Sequence, residues 1–339
     1  MTIIDIADHL GLTKSAVSYA LNGKPGVSEA TRHRVLDAAR ELGWVPSSAA
    51  RSLAGAATST IGIVITRPQV QLGGEHYLMA FIAGLQTRLQ ERGFGLLMQV
   101  AADVHHQVSI YQSWVAQRRV DGVVLLDPVA DDPRPAVLAE LGLPAVVVGE
   151  AQLLPGQADV STDDAVAMTA VVQHLLDLGH RSIARVAGPA HLVHTQVRDA
   201  AFRAAVRDGG GRAVVVHTDY SGAAGERATD EVLVGTAAAT AVVYDSDLLA
   251  VAGFGAVSGL GLRVPADVSV VAWDDSALCR VTSPPLTAVG YDIADLGRSA
   301  GRVLFDLLDR GGPGAAVSVV PQLRVRSSTG PCRRPSPLL

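Results

Sequence analysis

Acidic side chains recur where the apolar runs of this chain stop. Asp127 follows Val123–Leu126, Glu150 follows Ala145–Val148, Asp245 and Asp247 follow Ala241–Tyr244, and Asp274 and Asp275 follow Val268–Ala272. A carboxylate only accepts hydrogen bonds, so a group of them suits the hydroxyl donors of a sugar and repels an anion. Taken singly, each reads as a solvated loop carboxylate or a helix cap, Asp247 and Asp275 most of all. Their joint position carries the information. A second set lies near the start: Lys14, Ser15, Ser18 and Tyr19 stand off the face shared by Val17 and Leu21. Short hydroxyls, one cation and one aromatic are a set able to meet phosphates and base edges.

The elements that must position these groups are legible in the spacing. Thr13 is a hydroxyl cap for a helix over 13–22. Before it, Thr2 and Asp5 form a capping-box pair, with Ile3, Ile6 and Leu10 on one face, and Gly11-Leu12 makes a turn. Helix, glycine turn, helix is the helix-turn-helix plan, though a helical hairpin packed on another domain would read the same. Gly23–Gly26 turns the chain, Ser28 caps a third helix, and Val35, Ala38, Ala39 and Leu42 give it a buried stripe that ends at Gly43. Pro46 breaks the chain, and the Ala-rich 47–54 is too short to hold a helix alone. From Ser59, strands (61–65, 95–100, 123–126, 145–148) alternate with helices (77–90, 108–118, 134–141), which predicts a doubly wound parallel sheet. The pattern restarts after Asp159, with strands over 182–187, 213–216, 241–244 and 268–272. Two such lobes would put the carboxylates above at the strand ends where ligands bind.

Composition narrows the class. The 339 residues, 48% of them apolar, suffice for two or three domains. The net charge of −5 is uneven: residues 1–60 hold six cations, including both lysines (Lys14 and Lys24), against five carboxylates. Cys279 and Cys332 are too few and too isolated for a disulfide framework or a zinc site, which points to a reducing cytoplasm. No leader pattern or membrane span is expected. No P-loop, HExxH, nucleophile elbow or CxxC pattern occurs, and Gly253–Gly259 misses the dinucleotide spacing. The expectation is no enzyme, with no catalytic residues, metal or cofactor.

The order and spacing of Asp5-Ile6-Ala7, Ala16-Val17-Ser18, Leu21-Asn22-Gly23, Val27-Ser28-Glu29-Ala30-Thr31-Arg32, Leu42-Gly43-Trp44-Val45-Pro46 and Ala50-Arg51-Ser52-Leu53-Ala54 closely resemble the LacI/GalR family of bacterial transcription regulators. The resemblance implies a multidomain chain: an all-α helix-turn-helix headpiece (1–46), a hinge helix and linker (47–58), and an α/β periplasmic-binding-protein-like effector domain (59–330) of two doubly wound parallel-sheet lobes. The N-lobe would be 59–158 plus 289–318, the C-lobe 162–286 plus 321–330, with a disordered tail at 331–339. Through the family, Lys14, Ser15 and Tyr19 would touch base edges and Thr13, Ser18 and Asn22 phosphates, Ser28 would join the DNA contacts, Arg51 would add charge, and Leu53 would wedge into the minor groove. Arg198 and Asp274 match effector-gripping residues, and Tyr220 takes the place of a stacking aromatic. His76, Tyr77, Asp127, Glu150, His194, Gln196 and Ser246 would line the same cleft. Ser246-Asp247 stands where the family commonly has Asn-Asp, Glu150 where Asp is common, and Trp273 where Tyr or Phe is usual, which leaves the effector's identity open. The implied function is repression of carbohydrate-utilisation genes by a homodimer on a palindromic operator, controlled by a saccharide. Two alternatives stay open: a non-sugar effector such as a nucleobase, and a sugar-binding protein with no DNA role.

Overall fold

The computed structural model describes residues 2–21, 23–44, 57–66, 75–149, 158–234, 238–310 and 317–332. The chain divides into two compact units, 1–58 and 59–339.

The first unit holds α1 (Ile3–Leu10), α2 (Lys14–Leu21) and α3 (Glu29–Glu41). Each starts where the sequence places a cap. The Thr2 backbone N–H donates to Asp5 Oδ2 at 2.6 Å, Thr13 Oγ1 accepts from the Ala16 N–H at 3.2 Å, and Ser28 Oγ accepts from the Thr31 N–H at 3.2 Å. Gly11, at φ 65°, ends α1 in the left-handed region that glycine reaches without strain. Ile6, Val17 and Val35 are fully buried, with Ala7, Ala20, Ala38 and Ala39 around them. The expected Ile3, Leu10, Leu21 and Leu42 are partly buried and pack against this core.

In the second unit, β1 (Thr60–Ile65), α4 (His76–Gln90), β2 (Gly95–Val100), α5 (Val104–Ala116), β3 (Gly122–Leu125), α6 (Arg134–Glu140), β4 (Ala145–Val148) and β5 (Ala158–Thr162) build the N-lobe. The C-lobe follows with α7 (Asp164–Asp177), β6 (Ser182–Ala187), α8 (Val193–Asp208), β7 (Arg212–His217), α9 (Gly222–Leu233), β8 (Ala241–Tyr244), α10 (Asp247–Gly259), β9 (Ser269–Trp273), α11 (Ala277–Val281) and β10 (Thr287–Gly290). Helix α12 (Ile293–Arg310), β11 (Val317–Val319) and β12 (Gln322–Arg324) complete the chain. The sheets run β2-β1-β3-β4-β5-β11, all parallel, and β7-β6-β8-β9-β10-β12, with only β12 antiparallel. Helices cover both faces, so strands such as Val123-Val124-Leu125 are apolar without alternation.

The chain passes between sheets after β5, between β10 and α12, and between β11 and β12. Two boundaries differ from expectation. The C-lobe extends to 290, not 286, because Thr287–Val289 pair with Val271–Trp273 and Gly290 with Gln322. The tail does not start at 331, since the Cys332 N–H donates to Leu178 O at 2.8 Å. Residues 333–339 lie outside the described residues, as do Asn22, Arg51, Leu53, the 47–54 hinge and Glu150. Helix α12 returns to the N-lobe and lies almost backbone to backbone on α4. A Cβ on Gly84 would fall 1.8 Å from Ala294 O and one on Gly297 2.2 Å from Phe81 O. Among the described residues, no helix is long and apolar enough to cross a membrane.

Candidate functional site

A cleft opens at the carboxyl ends of the strands of both lobes. The N-lobe contributes Glu75, His76 and Tyr77 from the start of α4, with Asp127 and Pro128 beyond β3. The C-lobe contributes His194 and Arg198 on α8, Tyr220 beyond β7, Asp245, Ser246 and Asp247 beyond β8, and Asp274 beyond β9. Thr162, Asp164 and Tyr291 line it where the chain crosses between lobes. Asp127 (φ 50°), Tyr220 (φ 65°) and Asp274 (φ 64°) are left-handed although none is glycine. Such backbones cost about 1–3 kcal/mol each and persist where the surroundings over-determine them.

Arg198 is buried and ion-paired. Its Nε donates to Asp164 Oδ2 at 2.6 Å, its Nη1 lies 3.7 Å from Asp245 Oδ1, and its guanidinium sits 4.1 Å from the centre of the Trp273 ring. Trp273, fully buried, is therefore the platform under Arg198. Asp245 also accepts from Arg185 at 2.6 and 2.7 Å and from the Gly188 N–H at 2.9 Å. Gly188 makes room for the neighbouring aromatic, since a Cβ there would fall 2.1 Å from Tyr220 Cζ. The Tyr220 hydroxyl in turn lies 2.9 Å from His194 Nε2. Two carboxylate oxygens of lining residues, Asp164 Oδ1 and Asp247 Oδ2, are buried and have no hydrogen-bond partner.

The charge states follow from this packing. Burial raises the Asp274 carboxyl from 3.8 to about 7; Arg198 opposes the shift, while Asp247, Asp164 and Glu75 add to it. Burial, then the Arg198 charge, lowers His194 from 6.5 to about 4, so its ring is neutral near pH 7. Burial pushes against ionisation of Asp245 too, but Arg185 and Arg198 outweigh it and hold the carboxyl below its ordinary value. Tyr77, Tyr220 and Tyr291 are all raised by burial and remain hydroxyl donors. Among the described residues the cleft thus offers carboxylate acceptors and neutral hydroxyls, with one guanidinium, that of Arg198, ion-paired to Asp164 and Asp245.

On the first unit, Thr13, Lys14, Ser15, Tyr19, Lys24 and Ser28 are exposed and Ser18 half-buried, while Val17 and Ala20 point into the core. Tyr19, 45% exposed, packs one ring edge on Gly26, where a Cβ would stand 3.3 Å from Tyr19 Cδ2. The outer face of α2 is therefore the polar one, as its spacing implies.

Of the residues expected at the cleft, His76, Tyr77, Asp127, His194, Arg198, Tyr220, Ser246 and Asp274 line it. Gln196 does not: it is exposed, and its Nε2 donates to Ala190 O at 3.0 Å, because two positions along α8 from His194 is the opposite side of a 3.6-residue helix. Asp247 is not a solvated loop carboxylate but a buried cleft residue. Asp275 is neither solvated nor a cap; it accepts from Arg324 and Arg326, each at 2.7 Å, and ties β12 to β9. Sequence reasoning missed Glu75, Asp164 and Tyr291. The strand-end rule would have found the last two had 158–162 and 287–290 been read as strands.

Two lobes around a ligand-sized cleft, with a separate helix-turn-helix unit, define a ligand-responsive DNA-binding protein. The pattern described as "Bacterial regulatory proteins, lacI family" matches residues 2–47, and that of the "Periplasmic binding protein-like domain" matches 172–329. The HTH-type transcriptional regulator CelR of Thermobifida fusca is 33% identical over 311 residues, covering 90% of this chain and 91% of that one. AglR of Rhizobium meliloti is 32% identical over 345 residues, covering 98% and 95%. Among solved structures, a lac repressor dimer bound to operator and the anti-inducer ONPF aligns with a TM-score of 0.85 at 26% identity, covering 97% of this chain and 99% of that one. A CelR–cellobiose complex aligns at 0.73 with 30% identity and the same coverage. The chain belongs to the lacI family of bacterial regulatory proteins and is a DNA-binding transcriptional regulator.

Proposed function

We propose that this chain represses carbohydrate-utilisation genes as a homodimer on a palindromic operator, and that a neutral mono- or oligosaccharide in the cleft controls its operator affinity. The observation that carries the ligand class is the acceptor excess. Among the described residues, six carboxylates line the cleft against a single arginine, itself ion-paired to Asp164 and Asp245. The Tyr220 ring offers a face for sugar C–H groups. The relative solved with cellobiose lends weight to this class.

In this reading, residues 1–46 are the DNA-binding unit and 47–58 the hinge and linker, with the lobes serving effector binding and dimerisation. Lys14, Ser15 and Tyr19 read base edges, while Thr13, Ser18, Asn22 and Ser28 hold phosphates. The exposed polar face of α2 supports these roles. Arg51 and Leu53 act at the hinge, and Glu150 belongs with the cleft residues. A thermal-shift panel of neutral sugars (cellobiose included), sugar phosphates and purine bases, followed by operator-binding titrations with any stabiliser, tests the proposal. Stabilisation by neutral sugars with a changed operator affinity is expected. Stabilisation by sugar phosphates or purines alone would overturn the ligand class.

A further inference from the structure

Apart from the three chain crossings, the lobes are joined beside the cleft by a short backbone ladder. Val129, in the loop between β3 and α6, forms an isolated antiparallel bridge with Leu192, just before α8. The Val193 N–H donates to Pro128 O at 2.9 Å, and the Ala130 N–H to His191 O at 3.4 Å. The loop that reaches across is stiff for an identifiable reason. Arg134, 1% exposed, gives Nε and Nη2 to the Asp132 carboxylate, Nη1 to Gln107 Oε1 at 2.7 Å and Leu126 O at 3.1 Å, and Nη2 to Asp127 O at 2.9 Å. Asp132 Oδ2 also accepts from the Val129 N–H at 3.3 Å. One guanidinium thus pins both ends of the loop and holds left-handed Asp127 in place.

We infer that Arg134 is a positioning residue for the cleft: with Asp132 it builds a latch that docks the N-lobe loop carrying Asp127 onto the start of the C-lobe helix carrying His194 and Arg198. Lobe closure is set by this clamp as well as by the covalent crossings. The planar fork matters. Lysine keeps the charge but cannot serve Asp132, Gln107 and two carbonyls together. The inference rests on the lobes enclosing a ligand, whatever its class.

The test uses no ligand, so its failure and that of the saccharide reading are separable. Opposed residues of an antiparallel bridge have Cα atoms about 4.5–5.5 Å apart, within the range of about 4.4–6.8 Å that a disulfide spans. In the full chain carrying Val129→Cys and Leu192→Cys, the rate of disulfide closure under a mild oxidant is followed by peptide mass spectrometry, which also separates any pairing with Cys279 or Cys332. Closure is expected to slow at least tenfold when Arg134→Lys is added, with the thermal transition still cooperative. A second variant leaves the buried pair intact. Val193→Pro removes the donor to Pro128 O and alters one buried side chain, at the first position of α8, where proline is favoured and the preceding residue is already extended. It is expected to slow closure about fivefold, and it decides the question if Arg134→Lys fails to fold. Closure within twofold of the parent rate in a folded Arg134→Lys, or in Val193→Pro, would overturn the latch.

Discussion

Asp274 and His194 share one cleft but respond to pH in opposite directions. Asp274 is raised to about 7, so between pH 3.8 and 7 the folded state holds a proton that the unfolded chain releases. Its contribution is present at low pH and lost as pH rises through 7. His194 is lowered to about 4, so between pH 4 and 6.5 the unfolded chain holds the extra proton and stability rises with pH. Asp274→Asn removes the first effect alone. The variant should melt at the wild-type temperature near pH 4 and several degrees above it at pH 8, with a ceiling of about 4 kcal/mol from a shift of this size. Melting curves across pH 4 to 8 check this; a constant offset would show that Asp274 does not titrate in the folded protein. Arg198→Ala should do two things. It leaves Asp164 and Asp245 buried with less compensation, which costs about 3–5 kcal/mol, and it removes the ligand response. Operator affinity without ligand, measured by anisotropy well below the melting temperature, should stay within a few-fold of wild type.

At the scale of elements, the N-lobe depends on the fit of α12 against α4. That contact lets the second crossing return the chain to the first sheet, and it is made by glycines on both helices. A methyl on Gly297 would overlap Phe81 O at 2.2 Å, and a carbonyl cannot rotate away as a side chain could. Gly297→Ala should therefore cost more than the usual overpacking penalty of about 1–3 kcal/mol, although alanine is the better helix former by about 1 kcal/mol. Chemical denaturation of the two proteins reads the balance. A variant as stable as wild type would mean the helices separate at no cost.

For the whole molecule, the division at residue 58 means the lobes carry their own cores, and the first unit carries a small one of three helices. Deleting residues 1–58 should leave a folded, ligand-binding homodimer by light scattering at micromolar concentration; a monomer would place the proposed dimer contacts elsewhere. In the proposed reading two copies of this small unit read the two half-sites, and the hinge couples them to the cleft. Leu53→Ala should then weaken specific binding and reduce operator bending, while salt-sensitive binding to scrambled DNA through Lys14, Lys24 and Arg51 persists. Equal bending by wild type and variant would remove Leu53 from the mechanism.

The caps, the helix-turn-helix unit and the parallel sheets were legible in the sequence because each is local. Thr2 with Asp5, Ser28 with the Thr31 N–H, and runs such as Ala145-Val146-Val147-Val148 declare themselves within a few residues. The strand-end rule found Asp127, Asp245 and Asp274 for the same reason. What the sequence could not show is which side chains meet across the fold. Asp164 and Arg198 are 34 positions apart, and Arg185 and Asp245 60 apart. Only their contacts make Arg198 an ion-paired arginine, and only β10's pairing with β9 places Tyr291 at the cleft wall. Asp247 and Asp275 show the limit most plainly. Each follows a strand, so composition treats them alike, yet one lines the cleft and the other joins two arginines at a sheet edge. Local spacing sets where a carboxylate sits along the chain; its partners, and hence its charge state, are decided by the tertiary structure that buries it.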